Sequence, residues 1–152
     1  NSSVGSFAID IATGTNTGTI VAGGGGTTSC AFGLGLITSG NPNIGNSITA
    51  TIGGVEGGLA IPVILYNFPP VLHVNLLGAC NCTILDSTAP GGFFLFSNQQ
   101  VFPIPCNPLL IGLQADIQGG EFFRSITGCS AAFPLGVLDL WALTDIDRVT
   151  IG

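Results

Sequence analysis

Few side chains in this sequence are of types that perform catalysis, and they are widely spaced. The single histidine, His73, lies between Val71 and Asn75, which share its face if the segment is extended. A catalytic histidine needs a nucleophile and an orienting acid, and the sequence has no Gly-x-Ser-x-Gly motif to supply the nucleophile. His73 is therefore predicted to be structural. No catalytic residue is predicted, and the chain is not expected to be an enzyme.

Two pairs of carboxylates could form sites. Asp145 and Asp147 would point to one side of an extended segment and could attract calcium. Calcium needs about six oxygen ligands and no acidic loop follows, so these residues are predicted to be surface turn carboxylates. Asp116 and Glu121 lie near a Gly-Gly turn without an aromatic platform for a sugar, so they are not predicted to be a glycosidase pair. No metal site is predicted.

The glycine run at 23–26 is the segment closest in composition to a phosphate-binding loop. It lacks the Gly-Lys-Ser/Thr ending that supplies the phosphate-binding lysine and the metal-binding hydroxyl. Nucleotide binding is therefore excluded, and no cofactor is predicted.

Charge is scarce in this chain of 152 residues, which has two arginines, no lysine and a net charge of -6. Nucleic acids and anionic membrane surfaces both need clustered positive charge, so neither is an expected partner. The mean hydropathy is +0.65. A surface so poor in charge favours packing against neighbours, so identical subunits are the first expected partner.

The most apolar stretch, 59–77, could be mistaken for a membrane span. It is interrupted by Pro62, Pro69, Pro70 and His73, so it does not form an uninterrupted apolar helix of about 20 residues. No membrane insertion is predicted.

The five cysteines include no Cys-x-x-Cys pair, so disulfides are favoured over a zinc site. Cys80 and Cys82 point to the same side of a strand, so each is expected to bond a distant cysteine. The predicted bridges draw on Cys80, Cys82, Cys106 and Cys129, with Cys30 left unpaired. Disulfides persist in oxidising compartments, and the chain opens at Asn1 without a signal-like segment, so a processed, extracellular protein is expected.

Short apolar or alternating runs bounded by Gly, Pro, Asn and Ser recur along the chain, and helical periodicity is nearly absent. The predicted strands are 6–13, 18–22, 29–38, 47–52, 59–66, 71–77, 82–86, 93–97, 109–117, 122–126, 135–143 and 148–151. Alternation in 48–52 and 137–143 is typical of sheets with two different faces. The expected fold is all-β, an antiparallel β-sandwich that is jelly-roll-like and carries an N-terminal extended arm.

The glycine run also sets the predicted domain boundary. Residues 1–26 are predicted to be the N-terminal arm and glycine hinge, and residues 27–152 the sandwich domain.

Within the arm, Phe7, Ile9 and Ile11 alternate with Ala8 and Asp10, which is the pattern of a strand that buries one face. Such a strand can complete a hairpin on its own sheet, or it can add to the sheet of a neighbouring subunit. The sequence pattern leaves both arrangements open.

Several short motifs follow one another from about residue 38 onward. They are Gly40-Asn-Pro-Asn-Ile-Gly45, Gly78-Ala-Cys80, Pro103-Ile-Pro105, Asn107-Pro-Leu-Leu-Ile-Gly-Leu113, Gln118 and Thr144-Asp-Ile-Asp-Arg-Val-Thr-Ile-Gly152. In this order they resemble a largely uncharacterised C-terminal β-domain of secreted proteins from environmental bacteria. The resemblance covers roughly three quarters of the chain. It implies an extracellular β-sandwich with a closing C-terminal strand, and it carries over no catalytic residue.

These features favour a structural subunit of an extracellular homopolymeric fibre or sheath, assembled by addition of the arm to a neighbouring subunit. The alternative is a secreted module, without catalytic activity, that binds carbohydrate or a cell surface. A large apolar contact between subunits would favour the polymer, whereas exposed aromatic rings around a groove would favour the binding module.

Overall fold

A computed structural model describes residues 17–28, 30–69, 73–76, 82–85, 91–124 and 142–152. Its strands are β1 (Thr19–Gly26), β2 (Gly35–Gly40), β3 (Ser47–Gly53), β4 (Ile61–Asn67), β5 (His73–Leu76), β6 (Cys82–Leu85), β7 (Phe93–Leu95), β8 (Gln99–Pro103), β9 (Gln114–Phe122) and β10 (Ala142–Thr150). One short 3-10 helix, Pro108–Leu110, precedes β9.

The strands form three sheets. The largest has the order β1-β10-β9-β4-β7, the second has the order β2-β3-β8, and β5 pairs with β6 in the third. Every pairing in these sheets is antiparallel. The all-β antiparallel sandwich is confirmed, while the jelly-roll connections stay a prediction. No helix in the described part of the chain is long and apolar enough to cross a membrane.

The main core lies between the five-stranded and three-stranded sheets. Ile48, Ala50 and Ile52 of β3 are buried at every second position, and they pack with Ile64 of β4 and Ile117 of β9. This alternation places one face of β3 on the core, as the sequence pattern predicts. Each large side chain buried here contributes roughly 1.5 to 3 kcal/mol, so this seam holds the two sheets together.

A second core covers the opposite face of the five-stranded sheet, where β6 packs. Val63 and Leu65 of β4 are buried there against Leu85 of β6. The side chain of Gln118 joins the layers, because its Oε1 accepts from the N–H of Leu85 at 2.8 Å and its Nε2 donates to the carbonyl of Thr144 at 2.8 Å. Because both faces of β4 are covered, this strand is a continuous apolar run rather than an alternating one.

β9 runs unbroken through Gly119 and Gly120, where the sequence predicts a turn between two strands. A Cβ on Gly119 would lie 3.0 Å from Cγ1 of Ile52, and one on Gly120 would lie 3.1 Å from Cδ2 of Leu143. Ile52 of the facing sheet and Leu143 of the paired strand β10 thus approach β9 so closely that a Cβ would fit only if these side chains moved by a few tenths of an ångström. The two glycines allow this packing and do not mark a turn.

Two segments around residue 105 differ from the predicted strands. β8 is not among the strands predicted from the sequence. This strand begins with two consecutive polar residues, Gln99 and Gln100, so it lacks the alternation of apolar and polar residues that marks a strand. The predicted strand 109–117 begins only at Gln114, since the residues before it form the 3-10 helix. The side chain of Asn107 caps that helix by accepting from the N–H of Leu109 at 3.0 Å.

The glycine run 23–26 lies inside β1, so the structure corrects the expectation of a free hinge there. Thr19 pairs with Thr150 and Gly26 pairs with Ile146 of the same chain. A Cβ on Gly25 would lie 2.5 Å from Cγ2 of Ile146. Glycine is therefore required here for a close approach to β10 and not for flexibility.

Replacement of Gly54 by alanine is expected to destabilise the fold by about 2 to 3 kcal/mol, because its backbone has a φ of +77° that alanine adopts only with strain. A Cβ there would also lie 2.2 Å from the carbonyl oxygen of Gly33. Gly53 is the matched control, since a Cβ there has nothing within 4 Å, and Gly53→Ala should change the free energy of unfolding by only about 0.5 kcal/mol. Urea unfolding of both variants measures the difference, and equal effects would contradict the described turn.

Candidate functional site

An apolar cavity of about 300 Å³ opens at one end of the main core. Its volume is at the lower end of the range for ligand cavities, about 300 to 1,000 Å³. The five-stranded sheet contributes Tyr66, Ala115 and Val149 to its wall, and the three-stranded sheet contributes Ile48 and Phe102. Because the described residues of the wall are almost entirely apolar, the cavity suits an apolar occupant, and these residues offer no group that would hold a charged one.

The rim of the cavity is held by backbone hydrogen bonds between loops. Ile104 donates to the carbonyl of Asn46 at 2.8 Å and accepts from the N–H of Gly45 at 2.9 Å. The carbonyl of Leu113 also accepts from the N–H of Ile151 at 2.9 Å. Ile104, Leu113 and Ile151 all line the cavity, so backbone hydrogen bonds fix part of its wall.

Beside the cavity lies a row of rings, which we name the aromatic strip: Tyr66, Phe68, Phe93, Phe94 and Phe96. The ring centroid of Tyr66 is 6.5 Å from that of Phe68 and 5.8 Å from that of Phe93. The row continues from Phe93 to Phe94 at 6.5 Å and to Phe96 at 5.5 Å. Since Tyr66 and Phe68 also line the cavity, the strip and the cavity form one continuous apolar surface.

The strip is unusually exposed for a row of phenylalanines. Phe93 and Phe94 are each 48% exposed, Phe68 is 39% exposed and Phe96 is 64% exposed. Phe93 and Phe94 belong to β7, the edge strand of the five-stranded sheet in the described part of the chain. An exposed apolar edge strand is a surface on which another chain can pack or pair.

Asp116 is fully buried and forms a two-point ion pair with Arg148. Nε of Arg148 donates to Oδ1 at 2.7 Å, and Nη2 donates to Oδ2 at 2.8 Å. The hydrogen bond to Asp116 raises the pKa of Arg148 above its usual value, and the attraction of the two charges adds to this against the opposing effect of burial. The pair ties β9 to β10 and leaves Asp116 no free oxygen edge for chemistry.

Glu121 is also fully buried and holds three loops together. Its Oε2 accepts from Nη1 of Arg124 at 2.5 Å, and its Oε1 accepts from the N–H of Glu56 at 2.8 Å. The same guanidinium donates to the carbonyls of Gly54 and Phe32 at 2.8 and 2.9 Å. Glu121 and Asp116 are five positions apart in β9, so they point to opposite faces and lie about 16 Å apart along it. They do not form a pair of acids.

Asp145 and Asp147 lie within β10, so their prediction as turn carboxylates is wrong. Asp147 is buried; its Oδ2 accepts from the hydroxyl of Thr38 at 2.7 Å and its Oδ1 from the N–H of Gly23 at 3.1 Å. Asp145 accepts from the N–H of Thr28 at 2.7 Å. Asp147 therefore binds β1, and Asp145 binds the residues just after β1. The described residues contain no group of three or more side chains that could hold a metal ion.

The cysteine predictions need correction at two positions. Cys30 is fully buried and disulfide-bonded, and its carbonyl accepts from the N–H of Leu143 at 3.0 Å, so it lies in the core beside β10. Cys106 is a free, exposed thiol in the loop after β8. The prediction that Cys30 is unpaired and Cys106 bridged is therefore wrong at both positions. The side chains of Cys80, Cys82 and Cys129 lie outside the described part, so their pairing stays a prediction.

The structure describes some of the other predicted site residues only in part, and others not at all. His73 opens β5, opposite Leu85 in the register, and its side chain lies outside the described part. Phe7, Ile9 and Ile11 also lie outside the described residues, so their role as an assembly arm stays a prediction.

The cavity and the aromatic strip are the site that sequence reasoning missed. The sequence feature that could have indicated the site is a cluster of phenylalanines, three of them within 93–96 and one at 102. Their alternation with polar residues is too weak to show which rings face the core. Only the pairing of β7 with β4, which sets Phe93 opposite Tyr66, brings the rings into one row.

Comparison of the chain with family models, with curated proteins and with solved structures finds no match. The resemblance to a C-terminal β-domain of secreted bacterial proteins therefore stays an expectation.

Proposed function

We propose that this chain is a non-enzymatic structural subunit of an extracellular homopolymeric fibre or sheath, whose copies associate through the aromatic strip and the adjoining cavity. Addition of the N-terminal arm to a neighbouring subunit links the copies head to tail. Contacts of this kind propagate without limit when they do not close into a ring.

The observation that carries this proposal is the imbalance between apolar and charged groups at the surface. Twelve large apolar side chains are exposed among the described residues. The exposed ones include Val21, Ile37, Leu59, Val101, Leu109 and Phe123 besides the phenylalanines of the strip. Both arginines are engaged in ion pairs with buried carboxylates. Packing such a surface against another apolar surface lowers the free energy.

The extracellular assignment rests on the cysteines. Cys30 is disulfide-bonded, and disulfides persist in secreted proteins but are rare in reducing compartments.

The second candidate is a module that binds a surface or a carbohydrate, and the exposed rings beside a cavity favour it. Rings of this kind can stack on a sugar or lie on an apolar material. The strip nevertheless has few hydrogen-bonding groups: its members are phenylalanines except for Tyr66. Retention of monomeric protein on insoluble cellulose or chitin would favour this candidate over the polymer.

Electron microscopy of the purified full-length chain tests the proposal. Regular filaments or sheets are expected as the protein concentration rises, and they should persist at about 1 M salt, because apolar contacts are not screened as ion pairs are. Dispersed particles at every concentration would contradict the polymer. Disassembly by salt alone would contradict an apolar interface.

A further inference from the structure

We infer that the apolar cavity is the acceptor site for the segment 7–11 of a second copy of this chain. Ile9 enters the cavity, and Phe7 and Ile11 lie at its rim against Phe68 and Leu113. This inference rests on the proposed function and names the site through which the copies are joined.

The described part of the chain begins beside the cavity. Thr19, the first residue of β1, pairs with Thr150 of β10. The two neighbours of Thr150, Val149 and Ile151, both line the cavity. The segment that precedes Thr19 therefore enters the domain at the end of the sandwich where the cavity opens.

The entry point is anchored to the loop behind the cavity rim. The N–H of Gly18 donates to Oδ1 of Asn43 at 2.7 Å. Asn43 lies two positions before Gly45, whose N–H donates to the carbonyl of the cavity residue Ile104. Six peptide units separate Ile11 from residue 17, an extended reach of about 20 Å. An arm that starts here can reach an adjoining subunit.

The segment and the cavity match in chemistry. Phe7, Ile9 and Ile11 alternate along the segment, so an extended backbone presents all three on one side. Ala8 and Asp10 then face away, which keeps the carboxylate of Asp10 out of the apolar cavity. The edge strand β7 lies next to Tyr66 of the cavity wall and offers a backbone edge for a strand to pair with.

A second copy fits better as the source of the segment than the same chain does. Five residues folded back onto their own cavity would cover only the part of the strip next to it and would leave Phe96, which is 64% exposed, uncovered. A neighbouring copy covers the rings of the strip with its own surface while its arm fills the cavity. One neighbouring copy then covers both the cavity and the edge strand β7.

Two pairs of full-length variants test the inference by sedimentation velocity. Ile9→Asp disables the arm and Leu113→Asp disables the cavity, and each should lower the association constant by about tenfold or more because a carboxylate would be buried in an apolar site. Ala8→Asp is the control for the arm. Leu109→Asp is the control for the rim, because Leu109 is 89% exposed and does not line the cavity. Both controls should associate as the unaltered chain does.

Mixing the two disabled variants identifies the source of the segment. The intact arm of Leu113→Asp can fill the intact cavity of Ile9→Asp once, so the mixture should form dimers and nothing larger, while each variant alone stays monomeric. Urea unfolding verifies that each variant is folded, and Leu113→Ser replaces Leu113→Asp if the latter does not fold.

The other outcomes overturn the inference in distinguishable ways. A mixture that stays monomeric would show that the segment fills its own cavity or lies elsewhere. Ile9→Asp and Leu113→Asp could instead form polymers as readily as the unaltered chain. That result would overturn the inference that the cavity accepts the segment 7–11, and it would leave the proposed function standing. An unaltered chain that is monomeric at every concentration would overturn both.

Discussion

Replacing Arg148 by methionine is expected to destabilise the fold by about 3 kcal/mol, because the replacement leaves the carboxylate of Asp116 buried without its two-point partner. Asp116 has a side chain only 1% exposed, so water does not replace the lost hydrogen bonds. The apolar part of methionine keeps most of the packing of the arginine stem, which confines the effect to the charge. Urea or guanidinium unfolding measures the loss.

Two matched variants separate the charge from the packing. Arg148→Lys keeps the positive charge without the fork of two donors, so it should lose less than Arg148→Met. Adding Asp116→Asn to Arg148→Met removes the unpaired charge and should restore at least about 1 kcal/mol. An Arg148→Met protein as stable as the unaltered chain would contradict the description of this pair as a main tie between β9 and β10.

The ion pairs show where sequence reasoning reaches its limit in this chain. Alternation in the segment 48–52 predicts a half-buried strand, and β3 has that pattern because one face packs on the core. The sequence predicts a surface turn at Asp147 and no functional pairing of Asp116 with Glu121, yet all three side chains are buried. Apart from Arg124, which lies three positions from Glu121, their partners lie 32 to 124 positions away in the sequence, so local patterns do not reveal them.

The glycines show a second limit of sequence reasoning, which concerns the backbone rather than the side chains. Gly119 and Gly120, and the run 23–26, have the composition of turns and linkers. They lie instead in strands, and neighbouring side chains approach the backbone closely at Gly25, Gly119 and Gly120. Composition alone does not separate a glycine needed for flexibility from one needed for space. The candidate site was missed for a related reason, since its rings come from separate strands.

Replacing both Phe94 and Phe96 by serine is expected to weaken association between copies by about 30-fold to 150-fold. Burying a phenyl side chain that is half exposed contributes roughly 1 to 1.5 kcal/mol, so two such rings account for a change of that size. The folded subunit itself should lose little stability, since Phe94 is 48% exposed and Phe96 is 64% exposed. The double variant Ile37→Ser/Val101→Ser is the matched control, because Ile37 and Val101 are as exposed but lie outside the strip.

Sedimentation velocity over a range of concentrations, on the unaltered chain, the Phe94→Ser/Phe96→Ser variant and the Ile37→Ser/Val101→Ser control, tests most directly whether copies associate through this surface. The expected result is a sedimentation coefficient that rises with concentration for the unaltered chain and the control, and that stays at the monomer value for the strip variant over the same range. A single monomer boundary for the unaltered chain at every concentration, or equal association of all three proteins, would contradict the account.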